Sequence, residues 1–259
     1  MPLSQNILKR IDLPFELIEA EKEIEGDKRT LLLTKKQGPF VKPCPCSNGS
    51  VSCGYYNINV IEGCFFDCSY CILQLYLKNK PITIYVNFDD LFKELDVITE
   101  KKQFFRVGPG ELADSLCLEP YTEIAKKLIL YFNNKNALLE IKTKDHRIDS
   151  LLDLEHGNKT VISFSLNPDK IAQSDEKGAS SIDERLNAAS KAEKHGYFNA
   201  FHFDPVIIFD DWEKEYSNLI YKLKETVAPQ NVKWISIGLL RFPAQLKNII
   251  LENGRSSEK

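Results

Sequence analysis

The feature that most constrains the fold is an alternation of two periodicities that begins near Tyr56. Short apolar runs with the composition of β-strands are separated by longer segments in which apolar residues recur at helical spacing. This alternation is typical of βα units that build a parallel sheet. The predicted strands cover residues 57–61, 103–107, 138–143, 160–166, 198–204 and 234–238. The predicted helices cover residues 70–77, 89–99, 120–132, 147–154, 182–195, 212–226 and 243–251. Six successive βα units predict an α/β fold, an open partial (β/α)6 barrel similar to a TIM barrel.

The first 54 residues follow a different pattern. A charged segment covers residues 16–28, a short strand candidate covers residues 31–34, and Pro and Gly interrupt the sequence GPFVKPCPCSNGS that begins at Gly38. We therefore predict a short N-terminal extension over residues 1–54 and the partial barrel over residues 55–252. Residues 253–259 are polar and are predicted to be a disordered tail.

Composition and charge exclude several classes of protein. The net charge is -3 at pH 7, so the chain as a whole carries no basic surplus for nucleic acid or anionic membranes. Its densest local group of cationic side chains is Lys142, Lys144, His146 and Arg147. No apolar run approaches the roughly 18 residues of a membrane span, and the N-terminus lacks the pattern of a secretory signal. We expect a cytoplasmic protein without a membrane partner, in which seven cysteines bind metal or act in catalysis rather than pair in disulfides.

Three of these cysteines form the most specific motif of the sequence. Cys64, Cys68 and Cys71 have the spacing C-x3-C-x2-C and lie between the first predicted strand and the helix that follows it. Thiolates are the usual ligands of iron-sulfur clusters. A closed zinc site would need a fourth ligand nearby, and the nearest histidine in the sequence is His146. The motif therefore predicts a 4Fe-4S cluster in which one iron has no protein ligand and is open for the activation of a substrate.

This motif and its position after the first barrel strand resemble the radical S-adenosylmethionine (SAM) superfamily. The wider segment GCFFDCSYCILQLYLKNKPITIYVN resembles the spore photoproduct lyase family of DNA-repair enzymes, and further matches follow in the same order: KDHRIDSLL from Lys144, FSLN from Phe164, HGY from His195, and Trp212 with Glu213. The resemblance implies a partial barrel of the radical SAM type, a 4Fe-4S cluster, SAM, and an electron donor such as flavodoxin or ferredoxin. In that superfamily, one-electron reduction of SAM releases a 5'-deoxyadenosyl radical that abstracts hydrogen from the substrate.

The resemblance also implies roles for individual residues. Tyr70, inside the cluster loop, would lie near SAM and either relay hydrogen or pack against the cluster. Lys144 would reach the SAM carboxylate or ribose with a charge-assisted hydrogen bond. Ser165 and Asn167 alternate along a predicted strand, which places them on one face, and they would bind the ribose hydroxyls or nearby backbone.

The segment of residues 106–115 departs from the repair enzymes. Glu111 occupies the position of their hydrogen-donating cysteine, and Ile72 replaces the second tyrosine of their relay. Both departures argue against the repair of thymine dimers. The segment that contains Gly108, Gly110 and Glu111 resembles instead the glycine-glycine-glutamate element by which other radical SAM proteins bind the amino group of SAM. Glycine lets the backbone approach a ligand closely, and a carboxylate accepts a hydrogen bond from an ammonium.

The remaining cysteines leave two interpretations open. Cys117, six residues after Glu111, is either a displaced hydrogen donor or a small buried apolar residue. Cys44, Cys46 and Cys53 precede the barrel, and with Cys117 they are numerous enough for an auxiliary metal site. Their spacing, C-x-C-x6-C, is not a standard ligand pattern, and unmodified thiols in an irregular loop are the alternative.

Three functions are compatible with these residues. The first is a lyase-like radical SAM enzyme related to spore photoproduct lyase, with nucleic acid as the first substrate class. The second is a radical SAM enzyme that modifies a peptide or a small molecule. The third is a non-catalytic iron-sulfur protein with a redox or binding role. Formation of 5'-deoxyadenosine separates the first two from the third, and salt-dependent DNA binding separates the first from the second.

Overall fold

The structure is a computed structural model, and it describes residues 3–11, 13–19, 24–45, 51, 53–101, 104–240 and 244–252. The strands are β1 (Leu31–Thr34), β2 (Val41–Pro43), β3 (Tyr55–Ile58), β4 (Ile61–Glu62), β5 (Asp67–Cys68), β6 (Ile82–Tyr85), β7 (Phe105–Gly108), β8 (Ala137–Thr143), β9 (Thr160–Ser165), β10 (Glu176–Lys177), β11 (Phe198–Val206) and β12 (Val232–Leu239). The helices are α1 (Leu3–Ile11), α2 (Leu73–Tyr76), α3 (Phe88–Lys101), α4 (Glu119–Thr122), α5 (Ile124–Phe132), α6 (Asp169–Asp175), α7 (Ile182–Lys194), α8 (Trp212–Thr226) and α9 (Ala244–Glu252). Two 3-10 turns cover Asp149–Leu151 and Pro229–Asn231.

A seven-stranded sheet forms the centre of the molecule, in the order β12-β11-β9-β8-β7-β3-β2. Its first six members pair in parallel and follow one another in chain order, whereas β2 pairs antiparallel with β3. Successive βα units place each new parallel strand beside the previous one. The prediction of an α/β fold with a partial (β/α)6 barrel is confirmed.

The alternation of side chains along β9 explains how the sheet separates a packed face from a polar one. Ile162 and Phe164 are buried and alternate with Ser163 and Ser165. Because successive side chains of a strand point to opposite faces, the apolar pair lies on one face and the serines lie on the other. Small polar side chains are thereby directed to the same face at the carboxyl end of the strand.

The prediction of one helix over residues 120–132 is wrong, because the chain forms two helices there. Between α4 and α5 the backbone of Glu123 has φ 51°, in the left-handed region. The buried carboxylate of Glu119 accepts hydrogen bonds from the backbone N–H groups of Ala125 (2.8 Å) and Lys126 (3.0 Å). These contacts satisfy donors at the start of α5 that a continuous helix would have used internally.

The predicted α-helix over residues 147–154 is also wrong, since the chain forms only the 3-10 turn Asp149–Leu151. The carboxylate of Asp145 accepts from the backbone N–H of Arg147 (3.0 Å) and from its guanidinium. Such local side-chain contacts compete with helix formation. Gln103 and Pro243, at the edges of two predicted elements, lie outside the described residues.

The segment before the barrel contributes strands to both larger sheets. β1 pairs in parallel with β6, and β2 joins the central sheet through β3. The division at residue 54 stays a prediction, and residues 253–259 lie outside the described part of the chain. Within the ranges that the structure describes, no helix has the length and apolar character needed to cross a membrane.

Candidate functional site

A cavity of about 320 Å³ lies at the carboxyl ends of the parallel strands. In parallel sheets this end is where ligands usually bind, because the loops that follow the strands meet there. The cavity brings together eight of the predicted site residues: Cys64, Cys68, Tyr70, Cys71, Gly110, Glu111, Lys144 and Ser165. Three others, Gly108, Cys117 and Asn167, do not border it.

The loop that carries the three cysteines is held by contacts from three other parts of the chain. Its β5 segment pairs antiparallel with β10. The ammonium of Lys28 donates to the carbonyl of Phe66 (2.7 Å) and to the carboxylate of Asp67 (3.0 Å). The side-chain amide of Gln74 donates to three carbonyls of the loop, those of Cys68 (3.3 Å), Ser69 (2.9 Å) and Cys71 (3.3 Å). The loop therefore has a defined conformation in which all three cysteines reach one cavity.

The three thiols form a set of ligands that an iron-sulfur cluster can use. Cys64, Cys68 and Cys71 border the same cavity. Thiolates are the usual ligands of a 4Fe-4S cluster. Burial raises the pKa of the Cys68 thiol to about 12 and also raises the pKa of Cys71. Binding of a cluster would therefore displace protons from these thiols.

Sequence reasoning missed Glu176, which is only 2% exposed and lies beside the cluster loop. Its carboxylate accepts hydrogen bonds from the Tyr70 hydroxyl, from the Asn167 amide (3.0 Å) and from the Arg185 guanidinium (2.6 Å). The ammonium of Lys144 is 3.8 Å away. Burial acts to raise the pKa of Glu176, but Lys144 and Arg185 outweigh it and lower that pKa to about 2. The carboxylate is therefore ionised at neutral pH. No motif marks this residue, because its partners come from distant segments.

Asn167 lies behind Tyr70 rather than on the cavity wall. Its amide nitrogen is 3.2 Å from the Tyr70 hydroxyl oxygen, and its amide oxygen accepts from the hydroxyl of Tyr216 (2.7 Å). Ser165, at the end of β9, borders the cavity. The roles of Ser165 and Asn167 as ribose ligands stay predictions.

The glycines of the segment after β7 have different surroundings. A Cβ atom at Gly108 would lie 2.3 Å from the carbonyl oxygen of Glu140 and 2.3 Å from the hydroxyl of Tyr55, so packing alone requires glycine there. Gly110 and Glu111 border the cavity. The carboxylate of Glu111 is therefore available to a ligand, and its role in SAM binding stays a prediction.

Cys117 lies beneath the cavity, next to the cluster loop. It is 2% exposed, and its thiol donates to the carbonyl of Asp114 at 3.5 Å. A hydrogen bond between Cys117 and Cys64 is the main reason why the pKa of Cys64 is raised well above its ordinary value, with burial as the next cause. Its role as a hydrogen donor stays a prediction. So does the auxiliary metal site, because Cys46 lies outside the described residues.

Sequence reasoning also missed a pair of titratable side chains on the inner face of the barrel. The Nε2 atom of His202 lies 2.7 Å from a carboxylate oxygen of Glu140, and His202 borders the cavity. Burial acts to raise the pKa of Glu140, but its hydrogen bond with His202 outweighs that effect and the pKa is lowered. The contact with Glu140 therefore holds the imidazole of His202 in place at the cavity wall.

The family model for spore photoproduct lyase matches residues 28–258. The chain belongs to the spore photoproduct lyase family. The resemblance stated from the motifs is thereby confirmed.

Two relatives within the family show how far the likeness extends. Spore photoproduct lyase of Bacillus subtilis strain 168 is 33% identical over 205 residues, which are 76% of this chain and 60% of that protein. Spore photoproduct lyase of Clostridium acetobutylicum is 29% identical over 238 residues, 90% of this chain and 68% of that protein. The chain thus spans 60% of the length of the Bacillus subtilis relative it matches.

Solved structures of spore photoproduct lyase share the fold. A complex with dinucleoside spore photoproduct has a TM-score of 0.79 at 27% identity, and the match covers 88% of this chain and 67% of that one. A double mutant with bound AdoMet and dinucleoside spore photoproduct has a TM-score of 0.86 at 24% identity, over 100% of this chain and 80% of that one.

Proposed function

We propose that this chain is a radical SAM enzyme that holds a 4Fe-4S cluster through Cys64, Cys68 and Cys71 and binds SAM in the adjoining cavity. The observation that carries the proposal is that these cysteines share one cavity with Lys144 and Glu111. The family resemblance assigns Lys144 to SAM, and the likeness to the glycine-glycine-glutamate element of other radical SAM proteins assigns Glu111 to it. With both cofactors bound and an electron from a donor such as flavodoxin or ferredoxin, SAM would supply a 5'-deoxyadenosyl radical for hydrogen abstraction from the substrate.

The charges on the cavity wall match the methionine part of SAM, which carries both an ammonium and a carboxylate. The ammonium of Lys144, whose side chain is 14% exposed, would donate to the SAM carboxylate or ribose. The carboxylate of Glu111 would accept from the SAM ammonium. Charge-assisted hydrogen bonds of both signs orient a zwitterion as well as bind it. The hydroxyl of Ser165 would add a contact to the ribose.

For the substrate we propose nucleic acid. In the family, spore photoproduct lyase has been solved with dinucleoside spore photoproduct bound. The same cavity carries Lys142 and His202 beyond the SAM ligands, and these side chains can contact a phosphate or a base edge. With a net charge of -3, such contacts would be local rather than spread over the surface.

The return of hydrogen to the substrate would differ from that in the repair enzymes. Glu111 and Ile72 stand where the family resemblance places the donor cysteine and the second relay tyrosine. Tyr70 borders the cavity and is the proposed relay. Cys117, which is buried next to Cys64 rather than on the cavity wall, is the proposed displaced donor.

Anaerobic reconstitution with iron and sulfide, followed by reduction with dithionite in the presence of SAM, tests the enzyme proposal. We expect 5'-deoxyadenosine in the products, measured by liquid chromatography with mass spectrometry. Cys71→Ser should abolish both the cluster and the product. Cys53→Ser, which changes an exposed thiol away from the cavity, is the matched control and should retain both. A wild-type protein that binds iron but forms no 5'-deoxyadenosine would be a non-catalytic iron-sulfur protein.

Fluorescence anisotropy with a labelled oligonucleotide, with and without the spore photoproduct lesion, tests the substrate class. We expect binding that weakens as salt rises, because phosphate contacts release counterions. An affinity that is undetectable at low salt would favour a peptide or small-molecule substrate.

A further inference from the structure

One buried carboxylate organises the side chains on the cysteine side of the cavity. We call the group of Tyr70, Lys144, Asn167, Glu176 and Arg185 the Glu176 cluster. Glu176 lies at its centre, and the other four supply the hydrogen bonds and the ion pair described above. The side chains of Glu176 and Arg185 are both 0% exposed. Their ion pair, at 2.6 Å, is therefore fully shielded from solvent.

Tyr70 and Lys144 are the members of the Glu176 cluster that border the cavity. Each of these side chains could adopt several rotamers if nothing held it. Lys144 has a four-carbon stem whose rotamer freedom has an entropic cost when it is ordered, and its ammonium lies 5.8 Å from the centre of the Tyr70 ring. Glu176 supplies an anion behind both side chains. An ammonium attracted to a buried anion is held at the cavity wall before any ligand arrives, so less entropy is lost on binding.

Arg185 extends this arrangement to the end of β9. Its guanidinium also donates to the carbonyl oxygens of Ser165 (2.9 Å) and Ser180 (2.9 Å). Arg185 therefore connects the end of β9, which carries Ser165, to the carboxylate of Glu176. Lys144 lies beside the same carboxylate. The backbone of Glu176, in turn, pairs with Cys68 through β10 and β5.

We infer that Glu176 is a positioning residue whose carboxylate, held by Arg185, places the Lys144 ammonium and the Tyr70 ring for SAM beside the cluster cysteines. This inference rests on the proposed function, because it requires that SAM binds in the cavity. The side chain and the backbone of Glu176 act separately: the pairing of β10 with β5 does not need the carboxylate. A change confined to the side chain can therefore alter SAM binding without removing the support of the cluster loop.

The test is the SAM affinity of reconstituted Glu176→Gln, measured by equilibrium dialysis with radiolabelled SAM alongside the iron content. We expect an iron content equal to that of the wild type and SAM binding about 10 to 100-fold weaker, by analogy with residues that orient the ligands of a metal. Unchanged SAM affinity in this variant would overturn the inference. Failure of the wild type itself to bind SAM is a different result, which would refute the proposed function.

Glu176→Gln leaves the Arg185 guanidinium buried without its anion, which threatens folding. Glu176→Gln/Arg185→Met removes both charges and is the second variant. It should give a far-ultraviolet circular dichroism spectrum like that of the wild type and still bind SAM about 10 to 100-fold more weakly. Recovery of wild-type affinity in the double variant would overturn the inference, because the effect would then come from the unpaired arginine.

A cycle with Lys144→Met tests whether Glu176 acts through that lysine. If it does, Glu176→Gln adds less than about twofold in the Lys144→Met background, whereas independent residues would multiply their effects. Full multiplication would overturn the inference.

Glu119→Gln is the matched control, since Glu119 is also a buried glutamate but caps α5 and does not border the cavity. Its SAM affinity should stay within about twofold of the wild type, and an equal loss in both variants would overturn the inference as well.

Discussion

Glu176 and Arg185 form a buried ion pair. Among substitutions of the charged residues near the cavity, removal of one member of this pair should destabilise the protein most. Neither side chain is exposed to solvent, so removal of one partner leaves the other as an uncompensated buried charge. Breaking such a pair costs about 3–5 kcal/mol, a large part of the roughly 5–15 kcal/mol that stabilises a typical domain. The single variants Glu176→Gln and Arg185→Met should each lose this amount at pH 7. The double variant should lose much less, because no buried charge remains.

The pH dependence of this loss follows from the ionisation of Glu176. Its pKa is about 2 in the folded protein against an ordinary value of 4.5. A lowered carboxyl pKa stabilises the folded state above pH 4.5, and this contribution is lost as pH falls towards 2. The full contribution is about 3 kcal/mol, from about 1.36 kcal/mol for each pH unit between the two values. At pH 4, about 1 kcal/mol of it should already be lost.

Urea unfolding of the intact chain, followed by circular dichroism at pH 7 and pH 4, measures both effects. The difference in free energy of unfolding between the wild type and Glu176→Gln should narrow by about 1 kcal/mol at pH 4, because the wild-type carboxyl takes up a proton on unfolding there. A Glu176→Gln variant as stable as the wild type at pH 7 would refute the reasoning. So would a difference that stays constant or widens between the two pH values.

Three further changes give measurable effects on stability. Gly157→Ala should lower the free energy of unfolding by about 1–3 kcal/mol, because Gly157 has φ +56° and a Cβ atom would lie 1.8 Å from the carbonyl oxygen of Asn133. An unchanged free energy of unfolding in a urea titration would contradict this packing. Tyr197→Phe should cost about 1–3 kcal/mol, because the buried hydroxyl donates to the carbonyl of Leu151 at 2.5 Å, and differential scanning calorimetry should show a lower Tm. Burial raises the pKa of Glu119 to about 7. Ionisation of Glu119 should therefore cost the wild type up to about 3 kcal/mol of stability as pH rises from 4.5 to above 7. Glu119→Gln should become more stable relative to the wild type over that range, and an unchanged difference in the free energy of unfolding would show that the carboxyl titrates normally.

The strands and most of the helices could be predicted from the sequence because their periodicity is local. The helix predicted over residues 212–226 has the same bounds as α8, since its apolar residues recur at helical spacing. The break at Glu123 could not be predicted in this way. It depends on the carboxylate of Glu119, whose burial and capping of α5 exist only once the helices pack.

The cluster motif of Cys64, Cys68 and Cys71 could be recognised from the sequence, because three ligands on one short loop need no long-range contact to come together. The motifs around it also showed which family the chain resembles. The positions of Glu176 next to Tyr70 and Lys144, and of His202 next to Glu140 at the cavity, are visible only in the folded structure. The physical reason is that a buried charge is stable only when partners surround it, and those partners come from separate strands and helices whose packing no local pattern encodes.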